Sequence, residues 1–256
     1  MKLSVIIITK NEAAHIGDCL DSVAFADEIV VLDSGSTDAT CEIARARGAR
    51  VEVSPDWPGF GPQKNRALDL AAGDWVLSID ADERVPPELA LSIQQAVRAP
   101  AAEGYRVARL SNFCGRWIRH SGWWPDYVVR LFRRDAGRFT DAAVHEHVEV
   151  QGRMGTLSGH FLHYPYATLE VFIDKINRYS TEAAHGAFAR GRRTSVLGPF
   201  GHGAWTFIRH YLLRRGFLDG WQGLVLAGMA ATGSFYRYVK LYWLGKQPPS
   251  ASADEA

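Results

Sequence analysis

The sequence predicts an α/β protein with a mostly parallel sheet, followed by a C-terminal helical region. Apolar runs of strand character alternate with helix-like patterns over roughly the first 80 residues, which favours parallel strands joined by right-handed crossovers. The first run, Leu3–Thr9, is almost continuously apolar and β-branched, as expected for a strand buried on both faces. From Leu169 onward, helical periodicity replaces the strand pattern.

The amino-terminal part contains alternating predicted strands and helices. In the first helix, the apolar residues Ala13, Ile16 and Leu20 recur at helical spacing, and Gly73 ends the third helix. We predict strands at Leu3–Thr9, Glu28–Leu32, Arg50–Val53 and Trp75–Ile79, and helices at Glu12–Val23, Thr37–Arg47 and Gln63–Ala72.

Beyond Pro100 the order of elements changes. Strand-like segments follow one another without intervening helices, so we expect this part of the sheet to be mixed or antiparallel. The predicted strands are Tyr105–Leu110, Tyr127–Phe132 and His145–Val150, and the predicted helices are Leu169–Arg190, Ala204–Leu213 and Phe217–Trp243.

Composition excludes several classes of protein. With 256 residues, a net charge of +1 and 47% hydrophobic content, the chain is typical of globular proteins, and its overall charge gives no reason to expect nucleic-acid binding. Three widely spaced cysteines without a C-x-x-C pair argue against a disulfide framework or a structural zinc site, so a reducing cytosol is the expected compartment. The amino-terminal apolar run is too short for a signal peptide.

The segment Asp80-Ala81-Asp82 is the most informative part of the chain. It follows an apolar strand pattern, and ligands bind at the carboxyl edge of parallel sheets. Two carboxylates there are costly to hold together unless a cation neutralises them, and oxygen ligands suit Mg²⁺ or Mn²⁺, either of which can hold a diphosphate. The alternative is structural: Asp82 or Glu83 could cap a helix that begins near Pro86-Pro87.

Other polar segments fall at the ends of predicted strands or in loops beside them. Thr9-Lys10-Asn11-Glu12 follows the first strand, and Asp33, which could bind a base or a ribose, follows the second. Lys64 comes after a glycine-containing loop and could reach a phosphate. The alternatives are a well-capped loop without a ligand for Asp33 and a solvated lysine for Lys64. Their common location at one sheet edge predicts a nucleotide pocket.

Four motifs, in matching order and spacing, resemble those of the family-2, GT-A-fold glycosyltransferases. They cover about residues 3–85 and are specific when taken together. The motifs are Val5-Ile6-Ile7-Ile8-Thr9-Lys10-Asn11-Glu12, Val30-Val31-Leu32-Asp33-Ser34-Gly35-Ser36-Thr37-Asp38, Gly61-Pro62-Gln63-Lys64-Asn65-Arg66-Ala67 and Asp80-Ala81-Asp82.

This resemblance implies a GT-A (Rossmann-like) domain, a nucleotide-sugar donor that is most often a UDP-sugar, and a Mg²⁺ or Mn²⁺ cofactor. In that family, the segment matching Asp80–Asp82 binds the ribose and the metal, with Asp82 preferred as the direct metal ligand. The implied donor-binding residues are Thr9, Asn11, Glu12, Asp33, Ser34, Gly35, Lys64 and Asp80.

Inverting transfer needs a base for the acceptor hydroxyl, and a carboxylate can serve. Two residues of the second half are candidates. Glu146 lies in a strand-like segment, whereas Asp126 follows Trp123 and Trp124, which could exclude water and stack on a sugar. The alternatives are an exposed strand glutamate and a turn acid next to Pro125.

The second half is similar to a narrower group, the bacterial glycosyltransferases that extend the lipopolysaccharide inner core with glucose. The matching segments are Trp124-Pro125-Asp126, Arg130-Leu131-Phe132-Arg133, Val144-His145-Glu146, and His163-Tyr164 followed by Lys175 and Asn177-Arg178-Tyr179-Ser180.

This similarity implies roles for several residues. In family-2 enzymes the acid aligned with Glu146 serves as the base, so Glu146 is our first choice and Asp126 the second. The wider family more often has two acids here, and His145 replaces one of them. His163 falls where some relatives place a late metal or phosphate ligand; alternatively it caps a strand end. The expected acceptor-binding residues are Trp123, Trp124, Arg130 and His145.

The tail combines aromatic side chains with arginines, a composition that fits helices lying in a membrane interface near anionic lipid. The alternative is a helical cap or dimer contact. We expect a GT-A domain over 1–165, with a nucleotide-sugar-binding half (1–100) and an acceptor-side half (101–165), then a basic, aromatic membrane-surface region (166–246) and a disordered tail (247–256). The expected location is the cytoplasm, peripheral on the cytoplasmic face of the inner membrane.

The function predicted from the sequence is inverting transfer of a hexose, glucose in the narrower group, from a UDP-sugar such as UDP-glucose to a lipid-linked glycan. The alternatives are another polysaccharide or lipid carrier as acceptor, a nucleotidyltransferase with the same aspartate pair, and a noncatalytic binding module. A nicotinamide dehydrogenase is excluded, because no G-x-G-x-x-G follows the first strand.

Overall fold

The computed structural model describes residues 1–141, 146–166 and 168–247. The chain divides into two compact units. The first, here called the sheet unit, comprises Met1–Ser111 and Pro125–Tyr164; the second, the helical unit, comprises Asn112–Trp124 and the chain from Pro165 onward.

The described residues form strands and helices that alternate at first and then separate, as the sequence pattern predicts. The strands are β1 (Leu3–Thr9), β2 (Glu28–Asp33), β3 (Arg50–Val53), β4 (Trp75–Ser78), β5 (Glu83–Arg84), β6 (Gly104–Phe113), β7 (Arg116–Trp117), β8 (Asp126–Arg133), β9 (Gly137–Phe139), β10 (Val148–Val150) and β11 (Met154–His163). The helices are α1 (Ile16–Ser22), α2 (Thr40–Ala46), α3 (Phe60–Leu70), α4 (Pro87–Arg98), α5 (Leu169–Ala189), α6 (Gly198–Ile208) and α7 (Gly220–Leu244), with a π-helical turn at Arg209–Leu213 and a 3-10 turn at Gly216–Asp219.

The main sheet has the strand order β3-β2-β1-β4-β8-β6-β11-β5, and the short β7 pairs with the end of β6. The first four strands in this order are parallel. Strand β8 is antiparallel to both β4 and β6, whereas β11 is parallel to β6. The predicted α/β class is therefore confirmed, as is the mixed character of the sheet beyond Pro100.

The core explains why the central strands are apolar throughout. Val5 and Ile7 belong to one buried cluster, and Ile6 belongs to another on the opposite face. Helices cover both faces: Leu20 of α1 packs in the first cluster and Leu68 of α3 in the second. A strand covered on both faces needs no polar alternation.

Several elements differ from the sequence prediction in their bounds or were not predicted, and two of these differences have a local reason. Helix α1 begins at Ile16 rather than Glu12, because residues 13–15 form a turn that ends at His15, whose φ of −117° departs from helical geometry. Strand β11 was not predicted. Its register shifts between Thr156 and His160, and Gly159 has a φ of 83°, so the alternation of apolar side chains is broken.

The helical unit has its own core, formed by Phe113, Ile118, Phe172 and Leu226. Helices α5 and α6 both pack against α7. Over the part of the chain that the structure describes, none of the helices has the length and apolar character needed to cross a bilayer.

Candidate active site

The carboxyl ends of three parallel strands meet at one edge of the sheet. Thr9 at the end of β1 lies beside Asp33 at the end of β2. On the other side of β1, the Ile79 amide donates to the Ile6 carbonyl at 3.2 Å, which brings the Asp80 segment to the same edge. The predicted meeting of the strand-end motifs is thus observed.

Asp33 organises the loop after β2. It is 1% exposed, and its carboxylate accepts hydrogen bonds from the Gly35 amide (2.9 Å), the Ser36 amide (2.8 Å) and the Thr9 hydroxyl (3.0 Å). Burial alone would raise the pKa of Asp33, but the hydrogen bonds from Ser36 and Thr9 hold it below its ordinary value. Asp33 is therefore an ionised group that shapes the loop containing Ser34 and Gly35.

Asn11 and Glu12 join the loops after β1 and β2. The Asn11 amide donates to the Ser36 hydroxyl at 2.8 Å, and its side-chain oxygen accepts from the Thr37 amide at 2.8 Å. The Glu12 amide donates to the Thr40 hydroxyl, also at 2.8 Å. Asparagine is among the residues that best tolerate a left-handed backbone, so it suits this position.

Helix α3 brings Lys64 inward between two acids. The Lys64 ammonium lies 3.1 Å from Asp80 Oδ1 and 3.0 Å from Glu146 Oε1, and its side chain is 7% exposed. Its neighbours hold the helix in place: Gln63 donates to the Ser34 hydroxyl, and Asn65 pairs with the Phe139 backbone. Lys64 is therefore not a solvated surface lysine.

Asp80 is neutralised by two cations of the protein. Lys64 contacts one carboxylate oxygen and Arg130 the other. Burial would raise the pKa of Asp80, but the charges of Arg130 and Lys64 outweigh that effect and hold the pKa well below its ordinary value. Arg130 also contacts Glu83 at 3.0 Å, and these acids more than offset the effect of burial, so the pKa of Arg130 is raised.

The helix-cap alternative for this segment is excluded. The N-cap residue of α4 is Pro86, without a side-chain cap. Glu83 instead is fully buried, and its carboxylate accepts from the Asp80 amide at 3.0 Å.

The ion pairs continue beyond Glu83. Arg109 lies 3.5 Å from Glu83 and 2.6 Å from Asp126, so basic and acidic side chains alternate from one candidate base to the other. We call this series the charge chain; its members are Glu146, Lys64, Asp80, Arg130, Glu83, Arg109 and Asp126.

Asp82 faces His163. The Asp82 Oδ2 and His163 Nε2 atoms are 3.4 Å apart, and the Tyr164 amide donates to the Asp82 carbonyl at 2.9 Å. The other ring nitrogen of His163 is 2.9 Å from the Ser111 hydroxyl, which orients the ring.

This pair fits a divalent ion. A carboxylate and an imidazole held face to face supply two ligands, and metals that act on phosphates usually take the remaining ligands from the substrate and water. Within residues 1–141, 146–166 and 168–247, no group of three or more His, Cys, Asp or Glu side chains converges to hold a metal.

The remaining predicted residues have other surroundings. Arg130, expected to bind the acceptor, is 5% exposed and part of the charge chain. Trp123 belongs to the helical unit, where it packs against Phe113 and Phe172, and Trp124 lies under the guanidinium of Arg119 in the same unit. His145 lies outside the described residues.

Glu83, Arg109 and Ser111 were missed by sequence reasoning. Glu83 directly follows the aspartate pair, and Arg109 interrupts an apolar strand pattern, so each carried a weak signal. Ser111 carried none, because a serine at the end of a strand is ordinary.

The chain is similar to known glycosyltransferases. The family model described as Glycosyl transferase family 2 matches residues 4–148. An uncharacterized glycosyltransferase of Rickettsia prowazekii is 32% identical over 253 residues, covering 94% of this chain and 86% of its own length. The lipopolysaccharide core biosynthesis glycosyltransferase LpsC of Rhizobium meliloti is 31% identical over 255 residues, covering 94% and 92%.

Among solved structures, glucosyl-3-phosphoglycerate synthase from Mycobacterium tuberculosis with Mn²⁺ and UDP-glucose is 32% identical over 43% of this chain and 44% of its own, with a TM-score of 0.37. The family model covers more than half of the chain, and the relatives span nearly all of it. The chain therefore belongs to glycosyl transferase family 2.

Proposed function

We propose that this glycosyltransferase transfers glucose, with inversion, from UDP-glucose to a hydroxyl of a lipid-linked glycan such as the lipopolysaccharide inner core. The similarity to LpsC supports the class of acceptor. The observation that carries the proposal is the pairing of Asp82 with His163 at the sheet edge where Lys64 joins Asp80 to Glu146.

The donor pocket in this proposal is the edge formed by the loops after β1, β2 and β4. Thr9, Asn11 and Glu12 would contact the nucleoside together with the Asp33 loop, which contains Ser34 and Gly35. Lys64 supplies positive charge beside the diphosphate, and Asp80 would bind the ribose.

Asp82 and His163 would hold the divalent ion. The ion, when bound, would neutralise charge that develops on the leaving diphosphate. A nitrogen ligand suits Mn²⁺ better than Mg²⁺, which prefers oxygen ligands alone.

Glu146 would accept the proton of the attacking hydroxyl. Its side chain is 16% exposed, so it can reach a substrate while its contact with Lys64 fixes its position. Asp126, at the other end of the charge chain, is 42% exposed and paired with Arg109. We assign Asp126 to the acceptor side. The acceptor roles of Trp123, Trp124 and His145 stay predictions from the sequence.

The first experiment measures donor binding by calorimetry. We expect UDP-glucose to bind in the presence of Mn²⁺ and not after chelation. Asp82→Ala should abolish the metal-dependent binding, whereas Asp69→Ala, at a surface ion pair that is 60% exposed, should leave it unchanged. Binding of nucleoside triphosphates in place of UDP-glucose would instead favour a nucleotidyltransferase.

The second experiment follows transfer. Incubation with UDP-glucose and a truncated lipopolysaccharide core should give a product whose anomeric configuration, read by NMR, is opposite to that of the donor. Retention of configuration, or transfer only to a soluble sugar acceptor, would contradict the proposal.

A further inference from the structure

Helix α6 turns its apolar side toward solvent. Its buried residues, Pro199 and Gly203, face inward, and Gly203 approaches the backbone of α7. Trp205 and Ile208 lie on the opposite side of the helix, where they are 55% and 40% exposed. In a water-soluble helix, the apolar stripe faces the core, so this arrangement is reversed.

Further exposed apolar side chains follow α6 along the chain, in the two turns and at the start of α7. Leu212 and Leu213 of the π-helical turn are 53% and 63% exposed, and Phe217 and Trp221 are 47% and 57% exposed. We call Trp205, Ile208, Leu212, Leu213, Phe217 and Trp221 the docking face. Patches of this kind on soluble proteins mark interaction sites.

Backbone hydrogen bonds hold the turn between these residues. The Arg215 amide donates to the Leu212 carbonyl at 3.1 Å, and the Leu218 amide donates to the Arg215 carbonyl at 2.9 Å. The docking face is therefore presented by ordered backbone on both sides of the turn.

The charges within this segment are basic. Arg209 and Arg215 are exposed. Between Arg190 and Gln247 the sequence has a single acid, Asp219, and it is 2% exposed. Its carboxylate is directed inward, where it accepts hydrogen bonds from the His120 amide at 2.9 Å and the Arg119 amide at 3.2 Å.

We propose that the docking face binds the surface of a bilayer that contains anionic lipid. Tryptophan and aliphatic side chains enter the headgroup boundary, and neighbouring arginines pair with lipid phosphates. A second copy of the chain suits this face less well, because a two-fold contact would bring the same arginines together without acids to neutralise them. The inference rests on the proposed function only for its purpose, which is access to a lipid-linked acceptor.

The test is sedimentation of the full chain with vesicles of phosphatidylcholine, with or without phosphatidylglycerol. We expect binding that requires phosphatidylglycerol. The double variant Trp205→Ser/Leu213→Ser should weaken it about tenfold or more, since both side chains lose apolar area. The matched control is Leu91→Ser, because Leu91 is 68% exposed on α4 of the sheet unit, and it should bind as the wild type does.

A second variant tests the charges without a risk to folding. In Arg209→Gln/Arg215→Asn, asparagine suits the left-handed backbone of position 215 (φ 54°), so the fold is retained. Affinity for phosphatidylglycerol vesicles should fall about fivefold for each arginine.

Three results would overturn the proposal: no vesicle binding by the wild type, equal binding by wild type and Trp205→Ser/Leu213→Ser, or an oligomer that this variant dissociates while vesicle binding persists. Calorimetry with UDP-glucose on the same samples separates the two hypotheses. Normal donor binding without vesicle binding would refute only the docking face, whereas vesicle binding without donor binding would refute only the proposed function.

Discussion

The two units depart from ordinary packing in opposite ways. The sheet unit buries charge: Lys64, Arg130 and Glu83 are each less than a tenth exposed, although such residues are normally at the surface. The helical unit exposes apolar side chains, among them Trp205 and Leu213, which normally lie inside. Each departure has an energetic cost, and each lies in the part of its unit to which we assign a function.

The costs differ in kind. Burying ions requires their desolvation, and pairing them seldom repays more than that, so a buried network adds little stability while it fixes geometry. Apolar side chains that stay exposed do not contribute the stabilising free energy of burial. They favour association with another surface instead. The sheet unit is thus organised around a fixed arrangement of charges and the helical unit around an external partner.

The largest expected effect concerns the ends of the charge chain. Glu146→Gln removes the proposed base, so transfer should slow by about 10²–10⁴-fold while UDP-glucose binding is retained. Asp126→Asn keeps the shape of the other end and should slow transfer by less than about tenfold. The measurements are product formation rates and calorimetric Kd values. If Asp126→Asn is the slower enzyme, the base is at the opposite end of the chain.

The next largest effect concerns Arg130, at the centre of the charge chain. Arg130→Met leaves Asp80 and Glu83 without their shared cation, and removal of one partner from buried ion pairs typically costs about 3–5 kcal/mol. The matched control is Arg138→Met, whose pair with Asp69 is about 60% exposed and should contribute about 1 kcal/mol or less.

Urea unfolding would measure both losses. Because the Arg130→Met defect comes from unpaired acids, adding Glu83→Gln should recover part of the lost stability. Equal losses for Arg130→Met and Arg138→Met would remove the distinction between the buried charges and ordinary surface pairs.

The sheet edge could be predicted from the sequence. The alternation of strands and helices along the chain indicates parallel strands, and ligands bind at the carboxyl ends of such strands. Asp80, Asp82 and Lys64 were therefore expected near one another. The partners of Lys64 and Arg130 were not, since Glu146 and Glu83 reach them only through tertiary packing. The irregular strand β11, which carries His163, has no clean periodicity, so its pairing beside Asp82 was not expected from pattern.

Exposure was the other property that pattern alone could not decide. The aromatic and basic composition of the tail predicted a membrane-surface or packing role equally for every residue in it. Which side chains of α6 face outward depends on its packing through Gly203. The periodicity of a helical sequence shows which residues share a face, but it does not show which face is covered by the rest of the protein.

Lowering the pH tests the contribution of the charge chain to stability without replacing a side chain. The folded-state pKa of Asp80 lies well below its unfolded value, so the stability it contributes is complete above about pH 5 and is lost as pH falls through the folded value. Asp80→Asn should be less stable than wild type by a constant amount from pH 5 to 7. Below pH 4 the gap should narrow by up to about 1.4 kcal/mol per pH unit.

Urea unfolding at a series of pH values would measure that gap. A gap that stays constant from pH 7 down to acid unfolding would mean that Asp80 takes up its proton equally in the folded and unfolded chains. The cations around it would then not favour the ionised form.

The smallest effect concerns the exposed turn of the helical unit. Arg215 has a φ of 54°, a left-handed conformation that disfavours arginine and suits asparagine or glycine. Arg215→Asn should therefore stabilise the protein by about 0.5–1 kcal/mol. The control is Arg209→Asn, because Arg209 has a helical φ of −59°, where asparagine is the poorer helix former and should destabilise slightly.

Thermal unfolding of the two variants would show whether each is more or less stable than the wild type. Vesicle sedimentation would show whether each binds anionic vesicles more weakly. Higher stability of Arg215→Asn together with weaker binding to anionic vesicles would mean that arginine is kept at this position for its charge, against the preference of the backbone. Lower stability than Arg209→Asn would mean that the Arg215 side chain stabilises the turn itself. The helical unit would then resemble the sheet unit in using its unusual side chains for structure.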